Sequence, residues 1–243
     1  MVLKRVLWAL CVLLFAGSAA AYSDYSFSVN VKVNHDGSAH VTEKTVIIFS
    51  NDLEKEEFDA YLNTGENSVL EWKKFSRNVR YHFSGEIVRL ATTKITARRE
   101  YGLSFQAGSI MVDYDVDSSL FDAEKTSSRL TTYSLHSSYL SFDLSKNKEM
   151  VLGNGMQLRF VLPSDAYLVE AAPAPDSLEG NVLTWNGPLV GSWKIVYSVE
   201  QPLAEEVNQF FADFYENMFG VVPFVLLVGV IAFVAVKLWR SKQ

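Results

Sequence analysis

Residues 25–49 read YSFSVNVKVNHDGSAHVTEKTVIIF, and the class of fold follows from them. Tyr25, Phe27, Val29, Val31 and Val33 alternate with Ser, Asn and Lys, the period of two that belongs to a strand with one buried face. Asn34-His35-Asp36-Gly37 supplies turn residues, and the chain returns as a second strand from Ala39 to Phe49. The sequence therefore predicts an antiparallel hairpin.

Downstream of the hairpin the period changes. From Asn51 charged residues surround Leu53, Phe58, Tyr61 and Leu62, and Ser68 with Glu71 has the spacing of a capping box ahead of Trp72 and Phe75. One or two helices are expected within 51–76. Strand patterns resume at Val79, Tyr81 and Phe83, then at 87–91, 101–105 and 110–116, and again at 129–135, 156–162, 166–170, 182–185 and 193–199. Pro173-Ala174-Pro175 reads as a loop in the last hairpin, and Gly153-Asn154-Gly155 as a hairpin turn. Many short strands divided by Gly, Pro, Ser and Asn argue for a mainly β domain, sandwich-like, with a small helical insertion.

Upstream, Lys4 and Arg5 precede the apolar run Val6 to Phe15, and small residues end in Ala19, Ala20 and Ala21. This is the plan of a signal peptide, 1–21, cut after Ala21. At the other end no charged residue occurs from Asn217 to Val236, and Lys237, Arg240 and Lys242 follow at once. Residues 218–236 have the length of one bilayer crossing, about 28 Å as a helix. The basic tail 237–243 places the C-terminus in the cytoplasm and residues 22–200 outside the cytoplasmic membrane. Between them, 201–217 takes a helical period, with Leu203, Val207, Phe210, Phe211, Phe214 and Met218 on one side and Glu206, Asp213 and Glu216 on the other. Such a stripe packs on its own domain, lies at the membrane interface or meets a partner helix, and Phe210, Phe211 and Phe214 are its candidate partner-binding residues. Gly220 and Pro223 would kink the junction with the span.

Composition narrows the function. Two of the 22 Lys and Arg fall in the signal peptide and three in the tail, which leaves 17 against all 28 Asp and Glu, net −11 for the segment between. Nucleic-acid binding is disfavoured, because it relies on clustered Lys and Arg. The single cysteine, Cys11, lies in the signal peptide, so the mature chain has no disulfide, thiol nucleophile or cysteine-bound metal. No Asn-x-Ser or Asn-x-Thr occurs, and with the missing cysteines this leans towards a prokaryotic envelope.

One local pattern suggests a ligand. In Asp113-Tyr-Asp115-Val-Asp117-Ser-Ser119-Leu120-Phe-Asp122-Ala-Glu124 the oxygens of Asp113, Asp115, Asp117, Ser119 and Glu124 fall at spacings that resemble a calcium loop. Ser118 stands where that loop has Gly, and the flanks read as strands. Two readings stay open: a Ca2+ or other hard-cation site, or the solvent face of a strand on which Tyr114 and Val116 point inward. His35, His40 and His82 occupy turn or polar strand positions and read as surface residues. None of the four histidines lies in a zinc motif, and no Gly-x-Ser-x-Gly elbow or phosphate-binding glycine loop appears. No catalytic residue and no cofactor is assigned, and the domain is read as non-enzymatic.

The hairpin with Asp36, Gly37, Ser38, Val41 and Glu43 resembles the opening of uncharacterised membrane-anchored surface proteins, found mainly in archaea and bacteria, whose extracytoplasmic β domains are tethered by C-terminal helices. Leu183 to Trp185 and Trp193 to Val199 fit the closing hairpin of such domains more loosely. The resemblance implies an envelope location and carries no activity or functional residue. The expectation is a single-pass envelope protein whose outer domain binds another envelope protein or a surface glycan. A calcium-stabilised adhesion module and a motif-less ectoenzyme are its rivals.

Overall fold

The computed structural model describes residues 22–65, 68–83, 90–101, 106–116, 120–127, 129–200, 207 and 211–212. In chain order these form β1 (Ser23–Val33), β2 (Ala39–Ile48), α1 (Asp52–Thr64), α2 (Val69–Trp72), β3 (Leu90–Glu100), β4 (Ala107–Val116), β5 (Phe121–Lys125) and β6 (Leu130–Leu135). A 3-10 turn (Ser137–Tyr139) follows, then β7 (Asp143–Leu144), β8 (Met150–Leu152), β9 (Met156–Val161), β10 (Ala166–Ala172), β11 (Ser177–Glu179), β12 (Val182–Asn186), β13 (Leu189–Gly191) and β14 (Lys194–Glu200). The fold is mainly β, as the sequence predicts.

The predicted hairpin is the middle of a seven-stranded sheet, ordered β11-β12-β9-β1-β2-β4-β3. β1 pairs antiparallel with β2, Val31 opposite Val41, and parallel with β9, Val31 opposite Phe160. Its turn closes through Gly37 at φ 81° and through Asp36, whose carboxylate accepts from the Ser38 backbone N–H at 3.0 Å and hydroxyl at 2.6 Å. The Ser38 hydroxyl holds the Asp36 carboxyl below its usual range. Two further sheets are ordered β10-β14-β6-β5 and β13-β8-β7.

The chain divides into two compact units, 1–123 with 133–198, and 124–132 with 199–243. In the first, alternate residues of the large sheet face inward and are buried: Phe27, Val29 and Val31 on β1, Val41 and Ile47 on β2, Ile110, Val112 and Tyr114 on β4, Leu158 and Phe160 on β9. Phe160 meets Phe83 and Phe121 edge to face, with ring centroids 5.9 and 6.5 Å away. Trp185 and Trp193 pack at 4.9 Å. In the second unit Arg129 pairs with Glu200 at 3.0 Å, and the Thr126 and Thr132 hydroxyls lie 2.8 Å apart.

The helices lie within 51–76, but their capping differs from expectation. Asn51 caps α1 by accepting from the Glu54 N–H at 3.0 Å, and Glu54 reaches back to the Ser50 N–H at 2.8 Å. Asn51 and Glu54 together thus hold the start of α1, with the carboxylate reaching one residue beyond the cap. Ser68 starts α2 without a side-chain cap bond, and Glu71 accepts from the Tyr61 hydroxyl instead. Phe58, Trp72 and Phe75 make an aromatic cluster with Phe49 and Tyr61, at centroid distances of 5.2 to 5.7 Å. Gly108 on β4 makes room for it. A Cβ there would fall 2.7 Å from the Phe58 ring and 2.9 Å from the Phe49 ring.

Other expectations need correction. Val79 to Phe83 is a loop, not a strand, with one bridge from Phe83 to Leu140. Its backbone turns locally, Val79 N–H onto Ser76 O and Arg80 N–H onto Asn78 O, so no neighbouring strand imposes a period of two. β3 runs through 90–100, further than the predicted 87–91, and Tyr101 follows its end. The rest of the strand expected over 101–105 lies outside the described residues. The loops at 153–155 and 173–175 join strands of different sheets and do not close hairpins. The signal peptide, the span 218–236 and the tail lie outside the described residues. Among the described residues no helix is long and apolar enough to cross a membrane.

Candidate functional site

Glu43 lies in the inward series of β2 with Val41 and Ile47, and Tyr114 in the inward series of β4. An ionisable group on a core face is costly unless every oxygen is bonded. The loop at 80–83 meets that need. Glu43 accepts from the His82 backbone N–H at 2.8 Å, from His82 Nδ1 at 2.7 Å, and from the Tyr114 hydroxyl in a very short bond. The Tyr114 oxygen itself accepts from the Phe83 N–H at 3.2 Å.

On its other side the imidazole meets a cation. Arg80 Nε donates to His82 Nε2 at 3.3 Å, and Arg80 Nη2 pairs with Asp143 at 2.9 Å. Because Nε2 accepts, the proton sits on Nδ1 and points at Glu43. The line Tyr114–Glu43–His82–Arg80–Asp143 thus runs from the sheet interior to the surface. Glu43, His82 and Tyr114 are 2%, 1% and 0% exposed. Phe27 and Phe142 flank the His82 ring at 4.6 and 4.7 Å. Burial, with the charge of Glu43, pushes the Tyr114 phenol well above its ordinary value.

This corrects the reading of His82 as a surface residue. The loop escapes strand alternation, so His82 turns inward to the carboxylate. The signal for the cluster was present in the sequence: Glu43 falls on the same parity as Val41 and Ile47, which demands buried donors. His40 and His35 are exposed; His40 lies 2.7 Å from Asp115 and His35 3.5 Å from Asp165.

Two of the five proposed cation ligands already have partners across the strand pair β2–β4. Asp113 accepts from the Thr42 hydroxyl at 2.7 Å, and Asp115 meets His40. Glu124 is exposed on β5, and Asp117 and Ser119 lie outside the described residues. Asp122 pairs with His136 at 2.5 Å. Among the described residues no group of three or more metal-ligating side chains forms. Among the described residues, Asp113, Asp115 and Glu124 do not form such a group. Of the three proposed partner-binding aromatics, Phe211 is a helical, exposed position, as is Val207; Phe210 and Phe214 lie outside the described residues.

Two surface clefts lie among the described residues. One, of about 160 Å3, is lined by Leu140, Leu144, Met150 and Trp193 among others. It is small beside the roughly 300–1,000 Å3 of ligand pockets. The other, of about 570 Å3, lies between α1 and the end of β3, against Leu62 and Ala97 to Tyr101. Arg99 stacks on Phe49, its guanidinium carbon 4.7 Å from the ring centre, with Nε 3.7 Å from Asp59. Sequence reading missed this place because β3 carries little apolar alternation.

No family model and no curated protein matches the chain. Among solved structures, the NMR structure of the folded domain of Mycobacterium tuberculosis LppM is similar over 73% of this chain and 91% of that chain, at 9% identity and a TM-score of 0.32. At that score neither fold nor function is transferred from it.

Proposed function

We propose that the chain is an envelope protein held in the cytoplasmic membrane by residues 218–236, and that its sandwich-like outer domain is a non-enzymatic binding module. The sealing of the buried Glu43–His82–Tyr114 constellation carries this reading. Glu43, His82 and Tyr114 have the chemistry of a catalytic relay, but their bonds are spent on one another and on the backbone. A general base must lie within about 3 Å of a substrate proton, and His82 presents its free nitrogen to Arg80. The groups serve the core. An acidic, cysteine-free domain suits an extracytoplasmic place, and the aromatic stripe Phe210, Phe211 and Phe214 suits assembly with a second membrane protein.

The test is affinity capture of the full chain from native membranes in mild detergent. A stoichiometric envelope partner or bound glycan is expected. Replacing Phe210, Phe211 and Phe214 together with Ser should release a membrane partner while leaving the melting temperature of the β domain in place. Recovery of the chain alone from native membranes, under several detergents, would sink the proposal.

A further inference from the structure

The seven-stranded sheet ends at β3, and among the described residues no strand pairs with the far side of β3. Alternate backbone N–H and C=O groups of an edge strand point away from the sheet, a template for an added strand. A bulge lies between Ala91 and Lys94, with Thr92 at φ 52°, but from Lys94 to Glu100 the register against β4 is regular. Seven consecutive residues are thus presented in ladder geometry.

The side chains along this edge are unusual for an acidic domain. Lys94 and Arg98 lie on one face, and Arg98 is 66% exposed. Glu100 pairs with Lys44 at 2.9 Å and, more loosely, with Arg98 at 3.5 Å, so this face keeps a net positive charge, and the Ser109 hydroxyl and Lys44 hold the Glu100 carboxyl below the usual range. On the other face Arg99 lines the cleft, and its buried Nη1 has no hydrogen-bond partner. Tyr101, 89% exposed, stands at the cleft mouth with Leu62. Arg and Tyr are the residue types that carry most binding energy at interfaces.

Charged edges also prevent unwanted pairing, and here the sign selects the partner. A second copy of β3 in the register that sets Lys94 opposite Arg98 would bring like charges together, which repel across a strand pair. An acidic strand meets the opposite charge.

We propose that the edge of β3 from Lys94 to Tyr101 receives an extended acidic segment of a partner polypeptide as an additional strand. Its carboxylates lie against Lys94 and Arg98, and its apolar side chains cover Leu62 and Tyr101. This rests on the reading of the domain as a binding module and names the partner's chemistry.

The probe is a fluorescent eight-residue peptide alternating Glu and Val, titrated into the purified full chain in detergent and followed by anisotropy. Three controls accompany it: Lys in place of Glu, N-methyl groups on alternate residues, and polygalacturonate as an anionic glycan. Saturable binding of the acidic peptide alone is expected, with slowed amide exchange over 94–101. Arg98→Glu, at an exposed position, should weaken it about tenfold. Equal binding of the N-methylated peptide, binding of polygalacturonate in its place, or no saturable binding of the acidic peptide would each overturn the proposal. Capture of a partner that Arg98→Glu leaves unchanged would overturn this site while preserving the binding-module reading.

Discussion

At the scale of single residues, Glu43 is the position on which the interior depends. Its two oxygens take three donors, from His82 twice and from Tyr114. Glu43→Ala removes all three acceptor contacts and leaves buried polar groups unpaired, a loss of about 3–5 kcal/mol. Glu43→Gln keeps the shape but replaces one acceptor oxygen with a donor that faces a donor, and should lose less, about 1–3 kcal/mol. Urea unfolding of the two variants measures the difference. Equal losses would mean that packing, not hydrogen bonding, sets the value of the site. His82 shows how a residue can be read wrongly for a sound reason. Between Val79, Tyr81 and Phe83 it has the outward parity of a strand, yet that parity has meaning only where a neighbouring strand imposes it. Glu43 was readable from the same rule, since β2 does have neighbours on both sides.

At the scale of elements, the hairpin β1–β2 was legible because both strands are buried on one face and solvated on the other, which writes a period of two into the sequence. The helix α1 was legible for the matching reason: Phe58, Tyr61 and Leu62 recur at helical spacing. β3 was only partly legible. An edge strand has one neighbour, and of its side chains from Thr92 onward only Ile95 is buried, so Thr, Lys and Arg can fill the rest. The acidic stretch was ambiguous because cross-strand partners cannot be seen from one strand; Thr42 and His40 are what Asp113 and Asp115 face. The junction of α1 with the sheet yields a prediction. Asn51→Ala deletes the cap of α1 and should cost about 1 kcal/mol. Gly108→Ala should cost more, about 1–3 kcal/mol, because its methyl would enter the rings of Phe58 and Phe49. If Gly108→Ala melts at the wild-type temperature, the aromatic cluster does not hold the helix against β4 as tightly as these distances imply.

At the scale of the whole molecule, the perturbed groups define a pH window for stability. The carboxyls of Asp36, Glu57 and Glu100 are held low, Glu57 chiefly by the Tyr22 hydroxyl and then by Lys74. A lowered carboxyl contributes stability that is present above its ordinary value and lost as pH falls through its value in the folded protein. The acid limb should therefore begin near the ordinary carboxylate values of 3.8 and 4.5 and steepen below them. The phenols of Tyr22, Tyr114, Tyr133 and Tyr197 are raised, in each case first by burial. Above the ordinary tyrosine value of 10.0 the unfolded chain releases these protons and the folded chain keeps them, so stability falls as pH rises. Tyr197 isolates the alkaline limb. Its hydroxyl is buried without a hydrogen-bond partner, and its ring stacks on Tyr133 at 4.9 Å, which a phenylalanine can preserve. Tyr197→Phe should be neutral or slightly stabilising at pH 7, because it removes an unpaired buried polar group. It should also lessen the alkaline slope by up to one proton's share, about 1.4 kcal/mol per pH unit. Denaturant unfolding from pH 7 to 11.5 measures both. An alkaline limb identical in wild type and Tyr197→Phe would show that this phenol already ionises freely in the folded domain, and that the stacked pair is open to water.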